Sequence, residues 1–319
     1  MNIQLLVENF TNPSLLLFFL GLLAVQMKSD LEIPPTSSKF IAVYLLFAIG
    51  FKGGQELSHS PFTVEIAWTL FFGMAMAVVV PMYTFFILRT KFSVPNAGAI
   101  AAAYGSVSAV TFVTAISFLE QQEVAFGGHM VATMALMEAP SIVIAVVLMR
   151  YFSKDQSKSV SYGTAIKHAL TNGSVVLILG SLLVGFLASE TQAEGIKPFT
   201  TDIFKGFLAI FLLDMGITSG KKLKVLFKQG KFPFVFSIVI PLVNGIIVAL
   251  VSQFFIEADG NRLLLSILAA SASYIAVPAA MQLAAPKANP GLYVPMALAI
   301  TFPFNISIGL PLFWSIILW

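Results

Sequence analysis

Apolar residues run along this chain in long blocks divided by short polar connections. Blocks such as Ala67 to Leu88 and Phe232 to Ile256 match the roughly 20 residues a helix needs to cross a bilayer, so the pattern is read as membrane spans. It predicts ten: Ser14–Gln26, Phe40–Phe51, Val64–Leu88, Ala97–Leu119 and Gly127–Met149, then Val175–Ala188, Thr200–Ile217, Phe232–Ile256, Leu263–Gln282 and Leu292–Trp319. The alternating segments of a transmembrane barrel are absent, which leaves helices to do the spanning. Two predicted spans, the second and the seventh, are short, and charge must decide whether they cross.

Eighteen Lys and Arg residues make that decision. If all ten segments cross and both termini lie outside, fourteen of the eighteen fall inside, among them Lys28, Lys39, Arg89, Arg150, Lys158, Lys221, Lys231 and Lys287. Only Lys52, Lys197, Lys205 and Arg262 fall outside, as the positive-inside rule expects. If the two short segments merely dipped in, the Arg89/Lys91 loop and the Lys221–Lys231 loop would face opposite sides and the bias would collapse. Composition agrees: 58% of residues are hydrophobic and 10% charged, against about 25% charged in a soluble domain. The expected fold class is therefore an all-α polytopic membrane protein of ten transmembrane helices, in the cell inner (plasma) membrane.

The same composition removes several function classes. Basic residues confined to interhelical loops orient the protein and give no reason to expect nucleic acid, despite a pI near 9.0. With no cysteine there is no disulfide, thiolate nucleophile or cysteine metal site. Walker A, HExxH and Gly-x-Ser-x-Gly patterns are missing, so neither ATP hydrolysis by this chain nor an enzyme is expected, and no cofactor. The first ten residues hold Glu8 but no Lys or Arg, so the first helix is expected to be retained rather than cleaved.

The chain also looks written twice. Gly50/Gly216, Gly54/Gly220 and Leu57/Leu223 are each offset by 166 residues; Ser106 and Ser108 fall on Ser271 and Ser273, and Gly128 and Pro140 on Gly291 and Pro303. Five helices per repeat is an odd number, which forces the halves into opposite orientations. Residues 1–152 and 174–319 are thus expected to be inverted repeats joined by a cytoplasmic linker at 153–173. Such repeats are a common plan for transporters, with substrate held where they meet.

Candidate chemistry follows from groups that are costly at membrane depth. Glu138 falls near the middle of the fifth span, two residues before Pro140, and that proline leaves the Leu136 carbonyl without its helical donor. A carboxylate beside a freed carbonyl suits a hard cation such as Na⁺, with Glu138 as the metal ligand; the alternative is a carboxyl bonded to a neighbouring helix. Asp214, near the cytoplasmic end of the seventh span, is read first as pairing with Lys221 or Lys222. Gly105-Ser106-Val107-Ser108, with Thr111, and Ser271-Ala272-Ser273-Tyr274 are mid-span in equivalent helices, and Pro278 follows the second. These predict two discontinuous helices whose half-helix N-termini favour an anion at Gly105, Ser106, Ser108, Thr111, Ser271 and Ser273. Close packing of small residues is the alternative. His129, Asn244 and Asn305 are read as packing or interhelical hydrogen-bonding groups.

At these residues the chain resembles the cyanobacterial sodium-dependent bicarbonate transporter family (SbtA-type). The resemblance rests on Ile49-Gly50 with Gly53-Gly54, Gly105-Ser106-Val107-Ser108 with Thr111, Met137-Glu138-Ala139-Pro140, Ala288-Asn289-Pro290 and Gly309-Leu310-Pro311-Leu312-Phe313. It implies a Na⁺/HCO₃⁻ symporter with a mobile core and a scaffold (gate) domain, elevator-like movement, a homo-trimer, and a PII-like regulatory protein on the cytoplasmic side. Sodium is then a co-substrate. Tyr274 and Val277-Pro278-Ala279 stand where the family has an acidic residue and Gly-Pro-Pro, so one cation ligand is missing or supplied elsewhere, with Asp214 and the Tyr274 position as candidates. A sodium- or proton-coupled carrier of a small organic anion, or an anion channel, are the alternatives.

Overall fold

The computed structural model describes residues 3–59, 61–153, 167, 171–227 and 229–319. The central loop expected at 153–173 and its Lys158 lie almost wholly outside them. Among the described residues the chain is all helix, without a strand.

Ile3–Phe10 forms α1 and Pro13–Gln26 α2. Asn12 caps α2 by accepting the Ser14 N–H at 2.8 Å, with Pro13 in the first turn where a missing donor costs nothing. The next helices are α3 (Pro35–His59), α4 (Val64–Leu88), α5 (Val94–Gly105), α6 (Ala109–Gln121) and α7 (His129–Phe152). In the second half α8 is Gly173–Leu187, again capped by an Asn, Asn172, on Ser174; α9 is Glu190–Lys197 and α10 Phe204–Phe227. Lys231–Val251 is α11, Asp259–Ala270 α12, Ala276–Ala284 α13, and Pro290–Ile317 a last helix, α14. Pro295, Pro303 and Pro311 each remove a backbone donor from α14, and π-turns at Met296–Thr301 and Asn305–Gly309 lie between them.

Among the described residues, seven helical stretches are long and apolar enough to cross a membrane, and α2 and α8 are shorter apolar helices. The second and seventh predicted spans are corrected here. Neither is short: α3 runs through Lys52 and Gln55 to His59, and α10 continues past Asp214 and Lys221. Polar residues ended the predicted spans, but helix geometry tolerates them wherever they find partners. Gln55 Nε2, for example, donates to the carbonyls of Gly185 and Ala188 at the end of α8.

Lipid-facing surface is legible as stripes. On α4, Trp68, Phe71, Val79, Met82 and Phe86 are exposed; on α11, Val235, Val239, Val243, Ile247 and Leu250 are exposed at every third or fourth position. At 1.5 Å per residue each stripe extends roughly 25 Å, close to the hydrocarbon thickness of a bilayer. Water would penalise such a surface, whereas acyl chains solvate it.

Two tight helix pairs explain the repeated glycines. α3 packs along α8, and α10 along α2. Gly50 meets Ser181, and Gly54 meets the Leu182 carbonyl; Gly216 meets the Phe18 carbonyl, and Gly220 meets Val25. Without side chains the backbones close to direct contact, the small-xxx-small arrangement by which membrane helices gain dispersion energy when no hydrophobic effect separates them from lipid. The other helices form a second set of neighbours: α4 on α5 and α7, α11 on α12 and α14, α6 on α12, and α13 on α5.

A methyl group at either contact has nowhere to go. Gly54→Ala and Gly216→Ala should each cost about 1–3 kcal/mol, the usual penalty for overpacking, and lower the melting temperature in detergent. Gly180→Ala and Gly206→Ala, where nothing stands within 4 Å, should melt like the parent. Equal melting of all four would contradict this packing.

Candidate functional site

Both interrupted helices break at the hydroxyl residues. α5 ends at Gly105, Ser106 is extended, and Ser108 caps α6, its Oγ accepting the Thr111 N–H at 3.2 Å. α12 ends at Ala270, Ser271 is extended, and Ser273 Oγ accepts the Val277 N–H at 3.4 Å in the first turn of α13.

The two breaks satisfy one another. Ser108 N–H donates to Ser271 Oγ at 3.0 Å, and Ser273 N–H donates to the Ala103 carbonyl at 2.8 Å. Carbonyls at the half-helix ends are also taken up: Ser141 on α7 donates to Ala102 at 2.7 Å, and Asn305 on α14 donates to Ala270 at 2.8 Å. Ser141 follows Pro140 and Asn305 lies just past Pro303, so the same corner of each half supports its own broken helix.

Three hydroxyls at this crossing are buried without a hydrogen bond of good geometry: Ser106 Oγ, Thr111 Oγ1 and Tyr274 Oη, the last beside the Ser108 side chain. A buried polar group left unpaired costs about 1–3 kcal/mol, so these groups are poised for a solute that accepts hydrogen bonds. First-turn N–H groups of a helix have no acceptor within it, and Ala109 and Val110 of α6 face a cavity of about 40 Å³. Ser108, Glu138, Ser273 and Tyr274 line that cavity too. Glu138 is 5% exposed and supplies the one carboxylate on its wall.

The remaining candidates are placed differently. Gly105, Ser106, Thr111 and Ser271 belong to the breaks but do not line the cavity. Gly105 instead packs against Pro81 and Ser141. Leu136 is 38% exposed on the outer side of α7 and does not line the cavity. Among the described residues Asp214 makes no ion pair within 4 Å: its carboxylate accepts from Ser38 on α3, while Lys221, one of the two expected partners, attracts it at longer range. Buried by α3, it lines a second, larger cavity of about 380 Å³ with Glu32, Lys39 and Lys221. Asn244 accepts from Tyr83 at 2.7 Å and Asn305 bonds Ala270, the interhelical roles expected of both. His129 is buried, with Nε2 unpartnered.

Sequence reasoning missed an ionic cluster at the opposite end. Glu120 on α6 contacts Lys52 of α3 at 3.0 Å and Lys205 of α10 at 3.4 Å. Lys39 and Lys52 are thirteen residues apart on α3, about 20 Å along its axis. Helix-end charges carry little signal in a sequence, because only the fold shows that three distant ones converge.

Among the described residues no three acidic or imidazole side chains cluster as a metal site. A cation at Glu138 would therefore take its other ligands from hydroxyl and carbonyl oxygens, which hard cations accept.

Lipid-length apolar stripes around a buried polar cavity define a polytopic helical membrane protein. The chain belongs to the Na⁺-dependent bicarbonate transporter superfamily, which matches residues 13–318. The family resemblance read from the glycine, serine and Glu-x-Pro motifs is thereby borne out. No curated protein matches the chain.

The hydrogen bonds separate structural from binding roles. Ser271→Ala should leave the Ser108 N–H unpaired and destabilise the protein by about 1–3 kcal/mol. Ser106→Ala and Thr111→Val remove buried hydroxyls that bond nothing, so stability should hold or rise, by up to about 1–3 kcal/mol, while solute uptake falls. Equal destabilisation by all three would contradict the assignment.

Proposed function

We propose that this chain is a secondary transporter that carries bicarbonate together with Na⁺. One observation carries the reading: two helix breaks interlock beside a small cavity lined by the Tyr274 hydroxyl, the N-terminus of α6 and a single carboxylate. Ser106, Ser108, Thr111, Ser271 and Ser273, with Gly105 allowing the close crossing, form the anion region. Glu138 holds the cation, and the Leu136 carbonyl, Tyr274 and Asp214 are further candidate ligands.

Coupling follows from charge. For an anion about 5 Å from the Glu138 carboxylate, repulsion is on the order of 3 kcal/mol at an effective dielectric of 20. A bound Na⁺ removes that repulsion, so anion and cation favour each other's binding. With both aboard the site carries one net negative charge, against two with the anion alone, so the anion crosses the low-dielectric layer more easily with the cation than without it.

The contacts suit elevator-like movement. In this reading α2, α3, α8 and α10 are the scaffold and α4–α7 with α11–α14 the mobile core, each of two inverted five-helix repeats giving two spans to the scaffold and three to the core. The cavity wall draws Ala42 and Phe211 from the scaffold and Ser108 and Tyr274 from the core, so sliding one against the other changes access. The side carrying Asp214 and Lys221 holds the larger opening, of about 380 Å³ against about 250 Å³ at the other end, where Glu120 of the core is tied to Lys52 and Lys205 of the scaffold. The seven long helices, two shorter ones and the α12–α13 pair supply ten segments. Basic residues orient the side of the larger opening to the cytoplasm, with both termini outside and the protein in the plasma membrane. Trimer formation and a PII-like partner rest on family resemblance, and the central loop that would meet that partner lies outside the described residues.

A proton in place of Na⁺ is the second reading, favoured by Glu138 being the lone carboxylate on the cavity. Labelled bicarbonate uptake into proteoliposomes under an imposed Na⁺ gradient tests both. Sodium-driven uptake is expected, and Glu138→Gln should reduce it by on the order of tenfold or more, at least about 1.4 kcal/mol. Uptake that ignores Na⁺ but follows a pH gradient selects the proton, and full sodium-driven uptake by Glu138→Gln removes that residue from the mechanism.

A further inference from the structure

Four residues line both the small cavity and the larger vestibule: Ala42, Phe211, Tyr274 and Ile275. They form the neck between the two. Ala42 comes from α3 and Phe211 from α10, whereas Tyr274 and Ile275 belong to the break between α12 and α13. A solute leaving the cavity for the vestibule must pass between them.

Tyr274 is the one member of the neck with a polar side chain, and it is held in place. Its ring packs edge-to-face on Phe302 of α14 at 5.9 Å, and only 8% of the residue is exposed. Its hydroxyl makes no hydrogen bond of good geometry and lies beside the Ser108 side chain, itself on the cavity wall. A fixed, desolvated phenol beside the cavity is stabilised by whatever acceptor arrives there. An anionic oxygen is the strongest acceptor available, because a hydrogen bond to a charged group is worth more than one between neutral groups.

Size points the same way. A cavity of about 40 Å³ has room for about three water-sized groups, which suits a planar one-carbon oxyanion and not a three-carbon acid. The Tyr274 ring forms the wall that such an acid would have to displace.

From these contacts we infer that Tyr274 determines specificity: its ring closes the anion cavity on the vestibule side and sets the size limit, and its hydroxyl donates to the bound oxyanion. This rests on the function proposed above and adds a residue and a solute class to it.

The two roles separate by substitution. Tyr274→Phe keeps the ring and deletes the donor: the KM for bicarbonate should rise roughly tenfold or more, with kcat little changed and pyruvate still excluded. Tyr274→Ala removes the wall, and pyruvate should then compete with bicarbonate. The absence of cysteine adds a readout independent of transport. A Val113→Cys thiol on the cavity wall should react slowly with a charged methanethiosulfonate reagent added from the vestibule side, and at least about tenfold faster when Tyr274→Ala is added, as closure by a packed ring requires. If the Ala variant does not fold, the Phe variant's KM decides the donor role, and the Val113→Cys thiol with Tyr274→Leu decides the door. An unchanged KM in the Phe variant overturns the donor role, and equal labelling rates with unchanged selectivity overturn the door. A parent protein that moves no bicarbonate overturns the function proposed above and the donor role with it, while the labelling rates still decide the door.

Discussion

Backbone groups inside a bilayer have no water to turn to, and this constraint shapes the centre of the molecule. A helix can be interrupted at membrane depth only if its freed N–H and C=O groups find protein partners. Here the breaks supply partners to each other: Ser108 N–H reaches Ser271 Oγ, and Ser273 N–H reaches the Ala103 carbonyl. Neither break is stable alone, so they form only where two helices cross. The location of the site follows from that mutual satisfaction. Ser141 and Asn305 take up carbonyls behind the crossing, which leaves the unpaired capacity on hydroxyls.

Around this polar crossing the fold divides its packing tasks. Where α3 meets α8 and α10 meets α2, glycines bring backbones into direct contact, which favours pairs that move as units. Across the boundary near the cavity the neighbours are different: apolar side chains such as Ala42, Leu45 and Phe211 face Val107 and Ile275. In the proposed elevator movement, dispersion between such groups would be lost and regained at little cost. Ionic contacts are placed at the far end, where Glu120 meets two lysines that are partly exposed. Ion pairs in that setting contribute 1 kcal/mol or less each, enough to bias one position without locking it.

Much of this was legible in the residues. Gly50/Gly216 and Gly54/Gly220 suggested a repeat; in the fold Gly54 and Gly216 stand against the Leu182 and Phe18 carbonyls, and Gly50 and Gly220 against the Ser181 and Val25 side chains. Ser106-Val107-Ser108 and Ser271-Ala272-Ser273 marked the breaks because small hydroxyl residues at mid-span are the side chains that can replace lost backbone bonds. Glu138 was found because a carboxylate at that depth is costly. Other features had no sequence signal. Asp214 beside two lysines reads as an ion pair, but its direct partner is Ser38 of α3, with Lys221 acting on it only at longer range. Polar residues such as Lys52 and Gln55 shortened the predicted second span because composition cannot show that Glu120 and the end of α8 would satisfy them. Ala42 and Phe211, apolar and distant in the chain, acquire meaning only where two cavities meet.

The central claim is that the interlocked breaks hold a small anion next to a cation at Glu138. An experimentally determined map of the protein in lipid, with saturating Na⁺ and bicarbonate, tests it most directly. The account predicts two interrupted helices with planar density within hydrogen-bonding distance of the Ser106, Thr111 or Tyr274 hydroxyls, and a spherical peak against the Glu138 carboxylate. Continuous helices through residues 106–108 and 271–275, or solute density remote from both breaks, would contradict it.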